Sequence, residues 1–422
     1  MLHIQPDALF LDDQFVADFG LTIDDDGIVQ HIGSPHPSAE SILRLEDQII
    51  IPGFVNSHSH VFQRLLRGRV ESANEGASFW SWRKHMYSLV DRLTPDLFEM
   101  VARYTYTEMV WAGYTQVKEF HYLHHAPNGQ LYDDPHEMSV RLVQAAQDAR
   151  IDLELLRVAY PITTDPTQQR FADPSIEESI ARTDALKARV DIPVGIAPHS
   201  IRAVTPQGIG QCLQWAQNNH AECHAHVAEQ PKEVAWAMEK FGYRPLETIA
   251  KHGPLSSSFT AVHATHLSPE EIRMAGQANI TICFCPTTEA NLGDGMPSTH
   301  ELLKSGVRLA IGSDSQAEIN PFVELRLLEY NERNRLGHRR VLEPRHLLKA
   351  TTESIAVGHP ARFLTLDRSH PTLAGSRFAE LASAIVMAAR PDCITGVWHG
   401  SEDIRQYPNC HRLEDLLQNL HS

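Results

Sequence analysis

The sequence predicts an α/β fold: a TIM-type (β/α)8 barrel with a small β-sandwich domain built from both chain termini. Three observations lead there. Eight short apolar runs recur along the chain, segments with helical spacing lie between most of them, and the runs end in clusters of His, Asp, Glu or Arg. Buried strands alternating with amphipathic helices form parallel β-α units, and eight such units close a barrel. Functional side chains of that fold gather at the C-terminal strand ends, where these polar clusters stand. A doubly wound sheet does not call for eight strands tipped this way, and no GxGxxG follows the first run.

In chain order the strands read QIIIPGFVNSHSH, YTQVKEFHY, IDLELLRVAY, DIPVGIAPHS, HAECHAHVAEQ, FTAVHATH, ITICFCPTTEA and VRLAIGSDS. Among them PDLFEMVARYTYTEMVWAG, SVRLVQAAQDAR, SIEESIARTDALKARV, PQGIGQCLQWAQNN and PEEIRMAGQ carry apolar residues at helical spacing. The barrel domain is therefore expected over residues 49–357, its last strand ending near Asp314. Residues 1–48 hold strand-like pieces with turn signals, such as ADFGLTIDDDGIVQHIG, and AELASAIVMAAR and CITGVWHG near the other end look similar. One small β domain from residues 1–48 with 358–422 is the economical expectation.

Composition excludes several partners. A chain of 422 residues with 42% hydrophobic and 21% charged residues suits a soluble enzyme with a sizeable core. No apolar run approaches the roughly 18 to 20 residues of a membrane helix, and the acidic start MLHIQPDALFLDDQF lacks the pattern of a secretory signal. A cytoplasmic protein without membrane association is expected. The net charge of −16 repels phosphate backbones, and only NERNRLGHRR relieves it locally, so nucleic acid is not an expected partner. Six cysteines form no CxxC pair, and Cys283 and Cys285, on one face of an apolar strand, read as core.

The histidines at the strand ends carry the chemistry. Residues i and i+2 of a strand face the same side, so His58 and His60 can both point into the barrel mouth and chelate a cation. Alone, HxH is equally compatible with a solvent-facing strand end. His226 and Glu229 in HVAE, His263 in VHATH and Asp314 in GSDS each close a later strand and change that balance. His224 shares a face with His226 and is a rival ligand, whereas His121, His124, His125 and His266 have no spacing that needs a metal.

PGFVNSHSH with the later HVAE, an isolated strand-end His and a final GSD resembles the mononuclear deaminase branch of the amidohydrolase superfamily. The resemblance implies one divalent metal ion, zinc with Fe2+ as the alternative, held by His58, His60, His226 and Asp314. It implies acid-base roles for Glu229 and His263, with Asp314 also taking a proton from water activated at the cation. It also favours His226 over His224, because the family pairs its ligand with a glutamate three residues on. The fourth strand, DIPVGIAPHSIR, lacks the lysine of binuclear members. HSH departs from the more usual HAH.

Within that branch FQR, SFWSWRKHMY, KEFHYLHH, HSIRAVTP, HVAEQPKEV, TTEANLGDG and GSDSQAEINPFVELRLLEY, in this order, resemble the iminohydrolases acting on N-formimino-L-glutamate. The substrate so implied is a small dicarboxylate amidine, contacted by Gln63, Arg83, Tyr122, His199 and Arg202. Arginine suits a carboxylate because its planar fork binds both oxygens. TTEANLGDG reads as a turn without catalytic role. Two other readings stand beside this one: a deaminase of a purine or pyrimidine ring, which needs no pair of cationic clamps, and a non-catalytic binding barrel. The superfamily resemblance also implies a homodimer.

Overall fold

The computed structural model describes residues 1–68 and 79–408, apart from the side chains of residues 79–84. All eight runs form strands: Phe54–Ser59, Tyr114–His121, Asp152–Ala159, Val194–Pro198, Cys223–Val227, Phe259–His263, Thr281–Phe284 and Arg308–Ile311. They lie side by side in chain order in one eight-stranded sheet. The ladders are parallel, as in Val227 opposite His263 and Phe284 opposite Ile311. Just past the eighth strand Asp314 bridges in parallel to Ser59 of the first. The Asp314 amide donates to the His58 carbonyl at 3.0 Å, and the His60 amide donates to the Asp314 carbonyl at 3.1 Å. The sheet therefore closes on itself at its C-terminal rim, in the manner of a TIM barrel.

The helices start where local chemistry dictates. Ser175 and Thr205 accept hydrogen bonds from the amides three residues on, and Ser268 with Glu271 forms a capping box. Pro206, Pro231, Pro245 and Pro269 each occupy a first helical position, where the missing N–H costs no hydrogen bond. Ile176–Arg189 has Glu177 and Glu178 in its first turn and Lys187 and Arg189 in its last, complementing the helix dipole.

Two compact units divide the chain. Ser57–Tyr106 and Val117–Glu318 belong to one, and Met1–Asn56, Thr107–Gln116 and Ile319–Pro408 to the other. The second unit contains a mixed sheet in which Leu2–Leu11 pairs in parallel with Ser41–Pro52, which pairs antiparallel with Arg362–Asp367. Ile394–His399 extends it beyond that strand. Ile4, Leu21, Ile23, Ile50 and Phe363 are fully buried on a common core. Pieces from both ends of the sequence thus share one apolar face, which neither piece covers alone.

One expectation is corrected. AELASAIVMAAR, grouped with strand-like pieces, lies largely within the helix Phe378–Ala388. Its Ala, Leu, Glu and Met content favours a helix, and the Arg377–Glu380 pair caps the start. The eleven residues are also longer than a usual strand.

Candidate metal centre and active site

Four ligand atoms, one each from His58, His60, His226 and Asp314, lie within 4.8 Å of one another. Three strand ends supply them: the first gives both imidazoles, the fifth gives His226, and the segment after the eighth gives Asp314. Asp314 Oδ1 stands 3.2 Å from His58 Nε2 and 3.3 Å from His60 Nε2. His60 Nδ1 pairs with the Phe120 carbonyl at 2.9 Å, and His226 Nδ1 with the His199 carbonyl at 3.0 Å. A carbonyl only accepts, so both Nδ1 atoms carry protons and both Nε2 lone pairs face the cluster.

The electrostatics fit a divalent cation. Burial lowers all three imidazole pKa values, His58 to about 3, and so keeps the rings neutral, the state that binds metal. Burial would raise Asp314, but the close approach of His58 and the neighbouring His263 and His60 rings hold it below the usual carboxylate range. Both His58 ring nitrogens are buried without a hydrogen-bond partner. An orphaned imidazole on an all-N,O donor set of this size matches a mononuclear site for zinc or a similar ion.

His224 does not join the cluster. Although it shares a face with His226, it lies two residues earlier on the strand, one layer deeper in the barrel, where its Nε2 pairs with Glu222 at 2.7 Å. Glu222 also pairs with Lys118 at 2.5 Å, and Lys118 with Glu154 at 3.4 Å. His124 Nε2 is taken by the Val158 carbonyl and His125 Nε2 by the Ala172 carbonyl. His266 Nε2 pairs with the Asp294 carbonyl.

Glu229 and His263 stand beside this His and Asp cluster. His263 Nε2 is 3.8 Å from Asp314 Oδ2 and 4.0 Å from Glu229 Oε1. Burial opposes a charge on His263, yet its hydrogen bond to Glu289 and the charges of Glu229, Asp314 and Glu289 outweigh burial and raise its pKa well above the ordinary value. Ala228, His263, Ala264 and Asp314 all have positive φ, a left-handed backbone that non-glycine residues seldom adopt. Such residues cost about 1–3 kcal/mol each and persist where the surroundings over-determine them.

Residues 49–397 match the model of the amidohydrolase family. The chain belongs to the amidohydrolase family. A formimidoylglutamate deiminase of Pseudomonas aeruginosa is 38% identical over 379 residues, covering 83% of each chain. An 8-oxoguanine deaminase of the same organism is 28% identical over 346 residues, 80% of this chain and 76% of the relative. The crystal structure of an amidohydrolase from Brucella melitensis matches with a TM-score of 0.90 at 30% identity, over the whole of both chains.

A cavity of about 440 Å³ lined by His60, His226 and Asp314 of the cluster opens in this amidohydrolase, large enough for a small metabolite. Gln63, Tyr122, His199, Arg202, Glu229 and His263 all line it. Gln63 Nε2 donates to the Tyr122 hydroxyl at 2.8 Å, leaving Gln63 Oε1 buried without a partner. Arg202 Nη2 lies 3.6 Å from Glu229 Oε2. Arg83 falls in the helix Phe79–Val90, but its side chain is outside the described residues.

Two features escaped the sequence. Tyr160, Gln168 and Phe171 also line the cavity, and nothing in their spacing marks them. In TTEANLGDG the expected turn is corrected: Pro286–Leu292 is a helix, and Glu289 on it is buried 3.3 Å from His263 Nδ1. Proline at the helix start was the available signal, masked by the Asn, Gly and Asp that follow.

Proposed function

We propose that this amidohydrolase hydrolyses N-formimino-L-glutamate to N-formyl-L-glutamate and ammonia, with zinc as the cation and iron(II) as the alternative metal. The observation that carries the proposal is the 38% identity to a formimidoylglutamate deiminase over 83% of both chains. The cavity supports it, because Arg202 stands on its wall in an otherwise acidic protein. A guanidinium there offers a substrate carboxylate charge-assisted hydrogen bonds. A free purine, the substrate favoured by the 8-oxoguanine deaminase relative, has no carboxylate for it to bind.

His58, His60, His226 and Asp314 would hold the metal, which when bound acidifies a water molecule so that a nucleophile is present at neutral pH. The remaining chemistry falls to the chain. Asp314 Oδ2 accepts the proton that the attacking water loses, since its Oδ1 is the oxygen facing His58 and His60. His263 Nε2 faces the charge that develops on oxygen as the new C–O bond forms. Glu229 delivers a proton to the imino nitrogen, making it an amino group. As the C–N bond breaks, the proton held by Asp314 passes to that nitrogen so that ammonia leaves, the hydroxyl proton returns to Glu229, and the C–O bond becomes the formyl carbonyl. Gln63 Oε1, buried and unpartnered, is placed to accept an amidine N–H, with Tyr122 and His199 beside it.

Ammonia release from N-formimino-L-glutamate, its formimino-aspartate homologue, guanine and adenosine, before and after chelation, tests the proposal. Release from the glutamate derivative alone, abolished by chelator and restored by zinc, is expected. Activity on a purine alone would overturn the substrate assignment.

A further inference from the structure

We propose that Glu289 is a positioning residue of the hydrolytic site: it holds the Nδ1–H of His263 and orients the ring so that Nε2 faces the reacting atoms. The seventh strand ends at Phe284, and the helix Pro286–Leu292 begins at once. Glu289 sits one turn into that helix and folds back, so that Oε1 accepts the Cys285 amide at 2.9 Å. The same oxygen lies 3.3 Å from His263 Nδ1. A carboxylate oxygen that already accepts a backbone N–H can only accept from the ring as well, so Nδ1 carries the hydrogen and donates it, and Nε2 is turned toward Asp314 and Glu229.

Two independent observations give this contact weight. Both side chains are buried, 1% exposed each, so water does not substitute for the carboxylate. His263 and Ala264 are both held in left-handed backbone, φ 65° and 54°, a conformation that persists only where the surroundings over-determine it. A buried carboxylate that holds a catalytic imidazole by its far nitrogen is a known way to set its tautomer, and loss of the charge there costs up to about 10⁴-fold in turnover. Glu289 does not touch the substrate cavity; it acts through His263.

The inference rests on the deimination proposal only for the choice of substrate, so its test has two arms. With N-formimino-L-glutamate, Glu289→Gln is expected to lower kcat by about 10²- to 10⁴-fold, with KM within about threefold and zinc content and Tm unchanged. In a His263→Asn background the same substitution is expected to cause no further loss of kcat. Independent, multiplying effects would overturn the proposal. Where the substrate assignment itself fails, ring-¹⁵N histidine NMR of the zinc-loaded protein still decides: a downfield Nδ1–H signal absent from His263→Asn should vanish in Glu289→Gln. Its persistence, or a loss of zinc and Tm that matches the loss of activity, would overturn the positioning role.

Discussion

Arg202 illustrates what a single charge does in a protein of net charge −16. Burial disfavours its charged form, but Glu233 and Glu229 more than compensate and raise its pKa. The guanidinium therefore stays charged on the cavity wall, with Nε buried and without a hydrogen-bond partner. Removing a charge-assisted hydrogen bond from a buried site costs on the order of 1.5–3 kcal/mol. Arg202→Ala is accordingly expected to raise KM for N-formimino-L-glutamate by about 10- to 100-fold, with a smaller change in kcat. Steady-state ammonia release measures this, and unchanged kinetics would remove the carboxylate-binding role. Arg64, just past the strand that carries His58, acts on the backbone instead. Its Nη1 donates to the Gln316 carbonyl at 2.6 Å and so holds the loop that follows Asp314.

The working unit of the site is the strand end rather than the strand. Ser59, between the two imidazoles, faces away from them and donates to Glu119 Oε2 at 2.5 Å, while Gln316 Nε2 donates to Ser59 at 2.9 Å. These bonds tie the end of the first strand to the second and to the segment after the eighth. The serine of HSH, where HAH was more expected, is thus held by both neighbours. Gly312 precedes the Asp314 turn, and a Cβ there would lie 2.7 Å from His58 Cβ and from the His58 carbonyl oxygen. Overpacking of this kind costs about 1–3 kcal/mol. Gly312→Ala should lower Tm and weaken zinc binding in chelator competition, because it displaces a ligand-bearing strand from Asp314. Full zinc affinity in a stable Gly312→Ala protein would contradict that coupling.

At the scale of the molecule, buried histidines make stability depend on pH. His121 and His124 have pKa values pushed down by burial first and by the nearby Arg157 second, His121 to about 3. A ring that stays neutral when folded takes up a proton on unfolding, so stability is present above the ordinary value of 6.5 and lost as pH falls toward about 3. Each such ring contributes a slope of about 1.4 kcal/mol per pH unit in that window. Denaturant titrations of metal-free protein from pH 7 to 4 should show falling stability, and His121→Phe should flatten the slope; an unchanged slope would exclude His121 as a source. Much of this architecture was legible beforehand. Eight apolar runs became eight parallel strands because backbone polarity and apolar periodicity act locally, and His58, His60, His226 and Asp314 were visible as strand-end groups for the same reason. AELASAIVMAAR and TTEANLGDG were misread because a short segment's helical start competes with turn and strand signals of similar strength. The sequence by itself determined the strand order, the polar tips and the donor types of the site. Only the tertiary structure decided that His224 turns to Glu222 below His226, that Glu289 reaches His263 from the next strand end, and that Asp314 completes the cluster of the first strand, because the first two depend on what packs against each side chain and the third on barrel closure, which joins Asp314 to Ser59.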